Sequence, residues 1–216
     1  MAFDPTTYLV QNGLKSLGFD PGALDGDNGP KTQAARQAWA DSRLADKSAA
    51  TPARASFIAR LLAVAESQLH VRETSRNHGD GIAKYWPATN YPEGYTNREP
   101  YCAAGLCWCI REASFGYQHE WQLPTTAAAF GYDEWARDNA AAGILYRVTP
   151  AKAAAGDIVV YDFHGQGHVG LVTGRSAAGD LLTIEFNTGD ANAREGDGVY
   201  RRTRSLTPVR SIHRFA

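Results

Sequence analysis

The second half of the chain alternates between apolar and polar positions in the way that β-strands do. Residues 157–163 and 168–173 form two short apolar runs separated by a glycine-rich turn, and residues 181–187 read LLTIEFN. Such runs, bounded by turn residues, predict three strands, with His168 opening the second of them.

The first half shows helical spacing instead. Residues 55–69 place apolar side chains on one side, which predicts an amphipathic helix over the core. A helix is also expected from Cys102 to about Ala113, because Pro100 favours a helix start and alanine-rich sequence follows. Residues 125–142 suggest a helical insert. The predicted fold class is therefore α+β, an antiparallel sheet packed on helices.

A small helical module is predicted ahead of this part. Apolar residues at helical spacing precede Gly18, a second helical run covers residues 31–44, and a glycine-rich loop joins the two. Residues 46–54 read DKSAATPAR, which suits a linker. The predicted organisation is an all-α module at 1–45, a linker at 46–54 and a larger domain at 55–216.

Composition excludes several classes of function. The formal net charge of -1 argues against a nucleic-acid partner, which would require a basic surface. The basic run at residues 201–204 is interpreted as the solvated edge of a strand. No apolar run is long enough to span a membrane, and the start MAFDPTTYLV lacks the features of a secretory signal. Three cysteines without framework spacing favour a reducing compartment and a free thiol.

Cys102 is the candidate nucleophile. In the first turn of a helix, unpaired N–H groups and the helix dipole stabilise a thiolate. Cys109 lies about 10 Å further along the same helix, too far for a disulfide or a shared metal, and Cys107 points elsewhere. Both are interpreted as small core residues.

His168 is the candidate base, and Glu185 with Asn187 are its candidate orienting partners. Because Glu185 and Asn187 alternate with apolar residues, they share one face of the predicted strand. A carboxylate or amide across the sheet can fix the histidine tautomer, which frees the other ring nitrogen to take the thiol proton. Glu185 is favoured as the direct partner.

A metal centre is not expected, and neither is a cofactor. His164 and His168 are four residues apart, but the glycines between them argue against the helix that would bring them together. No C-x2-C or HExxH motif occurs. A weak site built from His164, His168 and Asp162 is the remaining metal alternative.

These residues resemble the CHAP domains of the NlpC/P60 superfamily, which are papain-like enzymes. The resemblance rests on PYCAA around Cys102, the strands GDIVVYDF and GHVGLVTG, and IEFNTGD with GDGVYRRTR, and it spans roughly residues 70–216. It implies that Cys102 is the nucleophile, His168 the general base, and Glu185 and Asn187 the polar partners. Two departures are visible: Phe186 stands where the family has glycine, and no acidic calcium loop precedes the cysteine.

The N-terminal segment is similar to the small three-helix peptidoglycan-binding domain. That resemblance rests on VQNGLKSLGF followed by the turn DGDNGPKT. It implies that Asp25, Asn28 and Thr32 contact the wall polymer. A structural cap on the larger domain is the alternative interpretation.

Aromatic residues near the nucleophile are candidates for the cleft. Trp86 lies in a loop with Tyr85, Tyr91 and Tyr95, and is predicted to contact substrate, although packing is an equal alternative. Tyr101 is expected to offer a hydroxyl to the oxyanion of a tetrahedral intermediate, beside the backbone N–H of Cys102.

The expected function is peptidoglycan hydrolysis by acyl transfer through Cys102, as an N-acetylmuramoyl-L-alanine amidase or an endopeptidase. Peptidoglycan is the expected partner, and the protein is expected to be a monomer. Without a signal peptide, a phage endolysin released by a holin and an exported antibacterial effector, with export machinery and an immunity protein as partners, both fit. Either would be made in the cytoplasm and act at the cell wall or in the periplasm. The alternatives are a non-catalytic wall-binding protein and a papain-like transferase or deamidase acting on proteins.

Overall fold

The computed structural model describes residues 5–48, 54–117, 119–189 and 195–216. The chain forms two compact units, Met1–Thr51 and Pro52–Ala216. Over the described ranges, none of the helices combines the length and the apolarity that crossing a bilayer requires.

The first unit contains two helices, α1 (Pro5–Ser16) and α2 (Pro30–Ser48). The buried side chain of Gln11 organises the loop between them. Its amide donates to the Asp25 carboxylate and to the backbone carbonyl of Asp27, both at 2.9 Å. Its carbonyl accepts from the backbone N–H of Gly26 at 2.9 Å. One glutamine thus satisfies several polar groups of a loop that has little core of its own.

The second unit is built on a six-stranded antiparallel sheet with the order β1-β6-β2-β3-β4-β5. Its strands are β1 (Leu145–Val148), β2 (Ile158–Phe163), β3 (Gln166–Arg175), β4 (Leu181–Thr188), β5 (Gly198–Arg204) and β6 (Val209–Phe215). From β2 to β5, each strand pairs with the next one along the chain. Strand β6 lies between β1 and β2 and hydrogen-bonds to both.

Helices α3 (Arg54–Glu66), α5 (Cys102–Ala113) and α6 (Gly131–Asp138) pack against this sheet. The same unit also contains the short helix α4 (Asp80–Ala83). Short 3-10 turns lie at Trp86–Ala88, Pro92–Gly94, Glu120–Gln122, Ala140–Ala142 and Pro150–Lys152. Side chains from α3, α5 and the sheet form the main apolar core, and a smaller cluster includes Val159, Val172 and Ile212.

Helix α5 is the central element, and nine of its twelve residues are buried. It approaches β4 closely at Gly105: a Cβ atom built there would lie 2.2 Å from the ring of Phe186. The large ring fits only because the helix has no side chain at that point. This contact fixes the helix start relative to the strand that carries Glu185.

The α+β prediction is confirmed, and so are the predicted α5 helix and the three strands, with shifted ends. Strand β3 begins at Gln166, so His168 is its third residue and does not open it. The insert predicted at 125–142 is shorter, because only Gly131–Asp138 is α-helical. Helix α2 continues to Ser48, into the predicted linker, and residues 49–53 of that linker lie outside the described residues.

Substituting Gly105 by alanine should destabilise the second unit. We expect a net loss of about 1–2 kcal/mol in the free energy of unfolding, because overpacking against Phe186 outweighs the better helix propensity of alanine. Urea denaturation would measure it. Gly174→Ala is the matched control, since its nearest neighbour would be Leu182 at 3.9 Å. Equal stability of the two variants would show that the helix and β4 are not in close contact.

Candidate active site

Cys102 is the first residue of α5 and lines a cavity of about 580 Å³. Its side chain is 5% exposed, so a reactant reaches the sulfur through that cavity. The first backbone N–H groups of a helix have no partner inside the helix, and the dipole is positive there. The fold therefore places Cys102 at the positive end of the α5 dipole, beside backbone N–H groups that have no partner inside the helix.

His168 reaches the same point from β3, where it pairs across the ladder with Tyr161 of β2. Its ring is buried, and the side chain of Cys102 is one of the groups that raise its pKa, so the two side chains are neighbours. The ring of Tyr161 lies nearly parallel to it, with the centroids 6.3 Å apart. The chain thus brings a thiol and an imidazole together from positions 66 residues apart (168 − 102).

Glu185 orients the histidine from β4. Its Oε2 lies 3.0 Å from His168 Nε2, so Nδ1 is the ring nitrogen left for the Cys102 proton. Glu185 stands opposite Gly170 in the β3–β4 ladder, and a Cβ at Gly170 would lie 2.8 Å from the Glu185 side chain. A glycine at position 170 therefore makes room for the carboxylate.

Arg204, on β5, completes the group, and sequence reasoning missed it as a site residue. Its Nη2 donates to Glu185 Oε2 at 2.6 Å and its Nε to Oε1 at 3.1 Å, while the Thr183 hydroxyl donates to Oε1 at 2.7 Å. The interpretation of residues 201–204 as a solvated edge was wrong for this residue: Arg204 is 5% exposed. A buried carboxylate needs such hydrogen-bond donors. In the sequence, the only indication of this arginine's role was the basic run at residues 201–204.

The pKa values follow from these contacts. Burial by itself lowers the pKa of His168, but hydrogen bonds to Cys102 and Glu185, and the charges of both, raise it from 6.5 to about 9. Burial by itself raises the pKa of Glu185, but His168 and Arg204 outweigh it and lower that pKa from 4.5 to about 2. At neutral pH the site therefore holds a charged carboxylate and a histidine that favours its protonated form.

Asn187 lies two residues beyond Glu185 on β4, but it leaves the regular ladder. Its backbone is left-handed, with φ 53°, where the β4–β5 register shifts between Glu185 and Thr188. It is buried, and its Oδ1 has no hydrogen-bond partner among the described residues. The direct contact with His168 is made by Glu185, and a catalytic role for Asn187 stays a prediction.

Tyr101 caps the start of α5 and is fully buried. Burial and the neighbouring Glu73 carboxylate raise the pKa of its hydroxyl above the ordinary value. That hydroxyl lies beside Glu73, and the Tyr101 ring stacks on Tyr85 with centroids 6.1 Å apart. Its contribution to an oxyanion hole stays a prediction.

Trp86 lines the cavity together with Cys102, and so does Tyr91. The two rings meet edge to face with centroids 6.4 Å apart. Tyr85, by contrast, is buried in the core, and Tyr95 stacks on His78. The aromatic segment ahead of Cys102 therefore supplies both cavity wall and packing.

The three N-terminal candidates lie in or near the α1–α2 loop. Asp25 and Thr32 line a small cavity of about 280 Å³, whereas Asn28 does not. The buried Thr32 hydroxyl accepts from Gln11 at 3.0 Å and faces the carbonyls of Pro21 and Asp27. The hydrogen bonds of Asp25 and Thr32 organise the loop, and wall binding by this unit stays a prediction.

Among the described residues, no group of three or more histidine, cysteine or acidic side chains is arranged to hold a metal ion. His164 has a left-handed backbone, with φ 57°, in the turn after β2. The side chain of Asp162 accepts from the backbone N–H of Gly165 in the same turn. His164 and Asp162 thus belong to a turn, while His168 faces Cys102 and Glu185.

Comparison with protein families finds a CHAP domain over residues 90–187. CHAP domains are in general peptidoglycan hydrolases that act as cysteine/histidine amidases or peptidases, so this class of activity and a peptidoglycan substrate follow for the chain. The match includes Cys102, His168 and Glu185 and ends before Arg204. It does not reach the N-terminal unit. Comparison with curated proteins and with solved structures gave no significant match.

Substituting Arg204 should lower the free energy of unfolding far more than substituting Arg201, an exposed arginine on the same strand. In Arg204→Met the buried Glu185 charge loses its main donor, and we expect the free energy of unfolding to fall by about 3–5 kcal/mol. Arg201→Met, on the same strand, breaks a pair with Glu66 whose side chains are 57% and 50% exposed, and should cost about 0–1 kcal/mol. Chemical denaturation of both variants tests this, and equal losses would contradict a buried Arg204–Glu185 pair.

The histidine titration should depend on both neighbours. Because His168 is more basic when folded, its charge stabilises the fold fully below pH 6.5, and that stabilisation is lost as pH rises through about 9. Glu185→Gln and Cys102→Ala should each move the His168 pKa down, towards 6.5 or below, as followed by NMR. A His168 pKa that neither substitution changes would contradict the conclusion that Glu185 and Cys102 raise it.

Proposed function

We propose that the chain cleaves an amide or peptide bond of the peptidoglycan stem peptide, with Cys102 as nucleophile and His168 as general base. The proximity of Cys102 to His168, with Cys102 lining the cavity and Glu185 bound to the histidine, is the observation that carries the proposal. The CHAP match over residues 90–187 supports the substrate class. A phage endolysin or an exported antibacterial effector, acting at the cell wall, is the context we propose.

The Cys102 thiol proton passes to His168 Nδ1, which forms the protonated imidazole that the raised pKa of His168 favours. The thiolate attacks the carbonyl carbon, a C–S bond forms, and the negative charge moves to the carbonyl oxygen. When the tetrahedral intermediate collapses, the C–N bond breaks and His168 gives its proton to the leaving amine. Water, deprotonated by His168, then attacks the thioester, which releases a carboxylic acid and restores the thiol.

The remaining residues of the site stabilise the charges that form during the reaction and hold the imidazole in place. Glu185 holds the imidazole by Nε2 and stabilises its positive charge, and Arg204 keeps Glu185 ionised and in place. The backbone N–H of Cys102 at the start of α5 stabilises the oxyanion. We retain Tyr101 as a further donor and Asn187 as a second polar neighbour of the site in this proposal.

The N-terminal unit is proposed to bind the wall through Asp25, Asn28 and Thr32 beside its loop cavity. Because the chain divides into two compact units, binding and cleavage are measured as separate properties of the full chain. Substituting Asp25 and Asn28 by alanine should weaken co-sedimentation with the wall and leave cleavage of a soluble stem peptide unchanged. Unchanged wall binding by this double variant would assign the unit a structural role instead.

Cys102→Ala should abolish the release of soluble fragments and new amino groups from purified peptidoglycan, because the nucleophile is lost. Cys109→Ala, a change at a buried position of the same helix, should retain cleavage. Mass spectrometry of the fragments distinguishes an amidase from an endopeptidase by the bond that is opened.

Thiol labelling separates the enzyme from a non-catalytic wall-binding protein. Near neutral pH, iodoacetamide should modify Cys102 first, because burial raises the pKa of Cys107 to about 12 and also raises that of Cys109. Wild-type cleavage by Cys102→Ala would end the proposal. Cys102-dependent modification of proteins without fragment release would favour a transferase or deamidase.

A further inference from the structure

The residues that line the Cys102 cavity carry negative charge only, since the protonated His168 is buried beside Cys102 and is not among them. Two carboxylates line the cavity: Glu99 lies three residues before the nucleophile, and Glu134 lies on α6. No lysine, arginine or histidine is among its described lining residues, which otherwise are small, aromatic or amide side chains. Charges of one sign in a concave surface attract ligands of the other sign.

Neither carboxylate has a salt bridge with any described residue, although several other surface acids of the unit do. The paired acids are Glu66 with Arg201, Glu112 with Arg111, Asp138 with Arg137, and Glu195 with Arg76. Glu99 and Glu134 thus line the cavity without a cationic partner among the described residues.

A second feature of the same wall also points to a ligand. Trp86 is 1% exposed, and its indole N–H has no hydrogen-bond partner among the described residues. The benzo edge of its ring lies against Gly94, so the N–H edge lies on the other side of the ring. A buried donor that the protein leaves unsatisfied is uncommon, and a carbonyl of a bound peptide would complete it.

We propose that Glu99 and Glu134 select peptides with a free amine, which they hold as an ammonium ion beside Cys102. This inference rests on the proposed function and names its substrate class: stem peptides whose third residue carries an unmodified side-chain amine. A cross-link through that amine turns the ammonium into a neutral amide. The cavity therefore favours stem peptides that are not cross-linked at this position.

Binding to the inactive Cys102→Ala protein tests the inference without turnover. Two synthetic probes are compared by calorimetry: a stem pentapeptide with lysine at its third position, and the same peptide with that lysine Nε-acetylated. Two exposed ion pairs together predict about 3- to 30-fold tighter binding of the free amine, with a smaller ratio at high salt. Equal affinities, or no measurable binding of either probe, would overturn the inference.

Charge-neutral variants locate the effect. In Cys102→Ala carrying Glu99→Gln and Glu134→Gln, the ratio of the two affinities should fall to about 1. Glu112→Gln, at the far end of α5, is the matched control and should keep the ratio. A ratio that survives in the double glutamine variant would assign amine selection elsewhere and overturn the inference.

Failure of this inference and failure of the proposed function give different results. If the wild-type protein cleaves peptidoglycan through Cys102 but treats both probes alike, only the amine preference is wrong. If the probes differ in affinity as predicted but Cys102 is not needed for cleavage, the cavity is a binding site and the proposed reaction is wrong.

Discussion

The site depends on one buried charge, the carboxylate of Glu185. An ionised carboxylate inside a protein loses the stabilisation of water, and this chain replaces it with Arg204 at both oxygens, His168 at Oε2 and the Thr183 hydroxyl at Oε1. Because the positive partners outweigh burial, the carboxylate stays ionised. The ionised carboxylate in turn raises the pKa of His168 and holds its ring towards Cys102. The orientation of the histidine therefore depends on the hydrogen bonds and charges that stabilise Glu185.

The packing of α5 against the sheet brings Cys102 close to this group of charged side chains. Gly105 admits the Phe186 ring between helix and strand, and Gly170 admits the Glu185 side chain between strands. Phe186 and Glu185 are consecutive on β4, so they point to opposite faces. One strand thus anchors the nucleophile helix with one side chain and orients the base with the next. Phe186 fills the space left by Gly105.

Sequence periodicity predicts the α+β class, the helix at Cys102 and the strands that carry His168 and Glu185, because alternation and helix-start signals are local. It does not identify Arg204, whose burial depends on β5 pairing with β4, and a basic run is ordinarily solvated. Nor does it show that Asn187 takes a left-handed backbone and leaves the ladder. Glu99 and Glu134 come from segments 35 residues apart (134 − 99), and only the fold places them in one cavity.

The position of β6 has a consequence for how the protein is made. This strand is the last of the six along the chain, yet it lies between β1 and β2, and β1 joins the sheet only through it. When β1 to β5 have been synthesised, β1 is therefore not yet joined to the sheet of β2 to β5, and the edge of β2 that later pairs with β6 is unpaired. Such late, long-range pairing slows folding. A hydrolase assembled in this order would acquire its finished framework only after translation of β6.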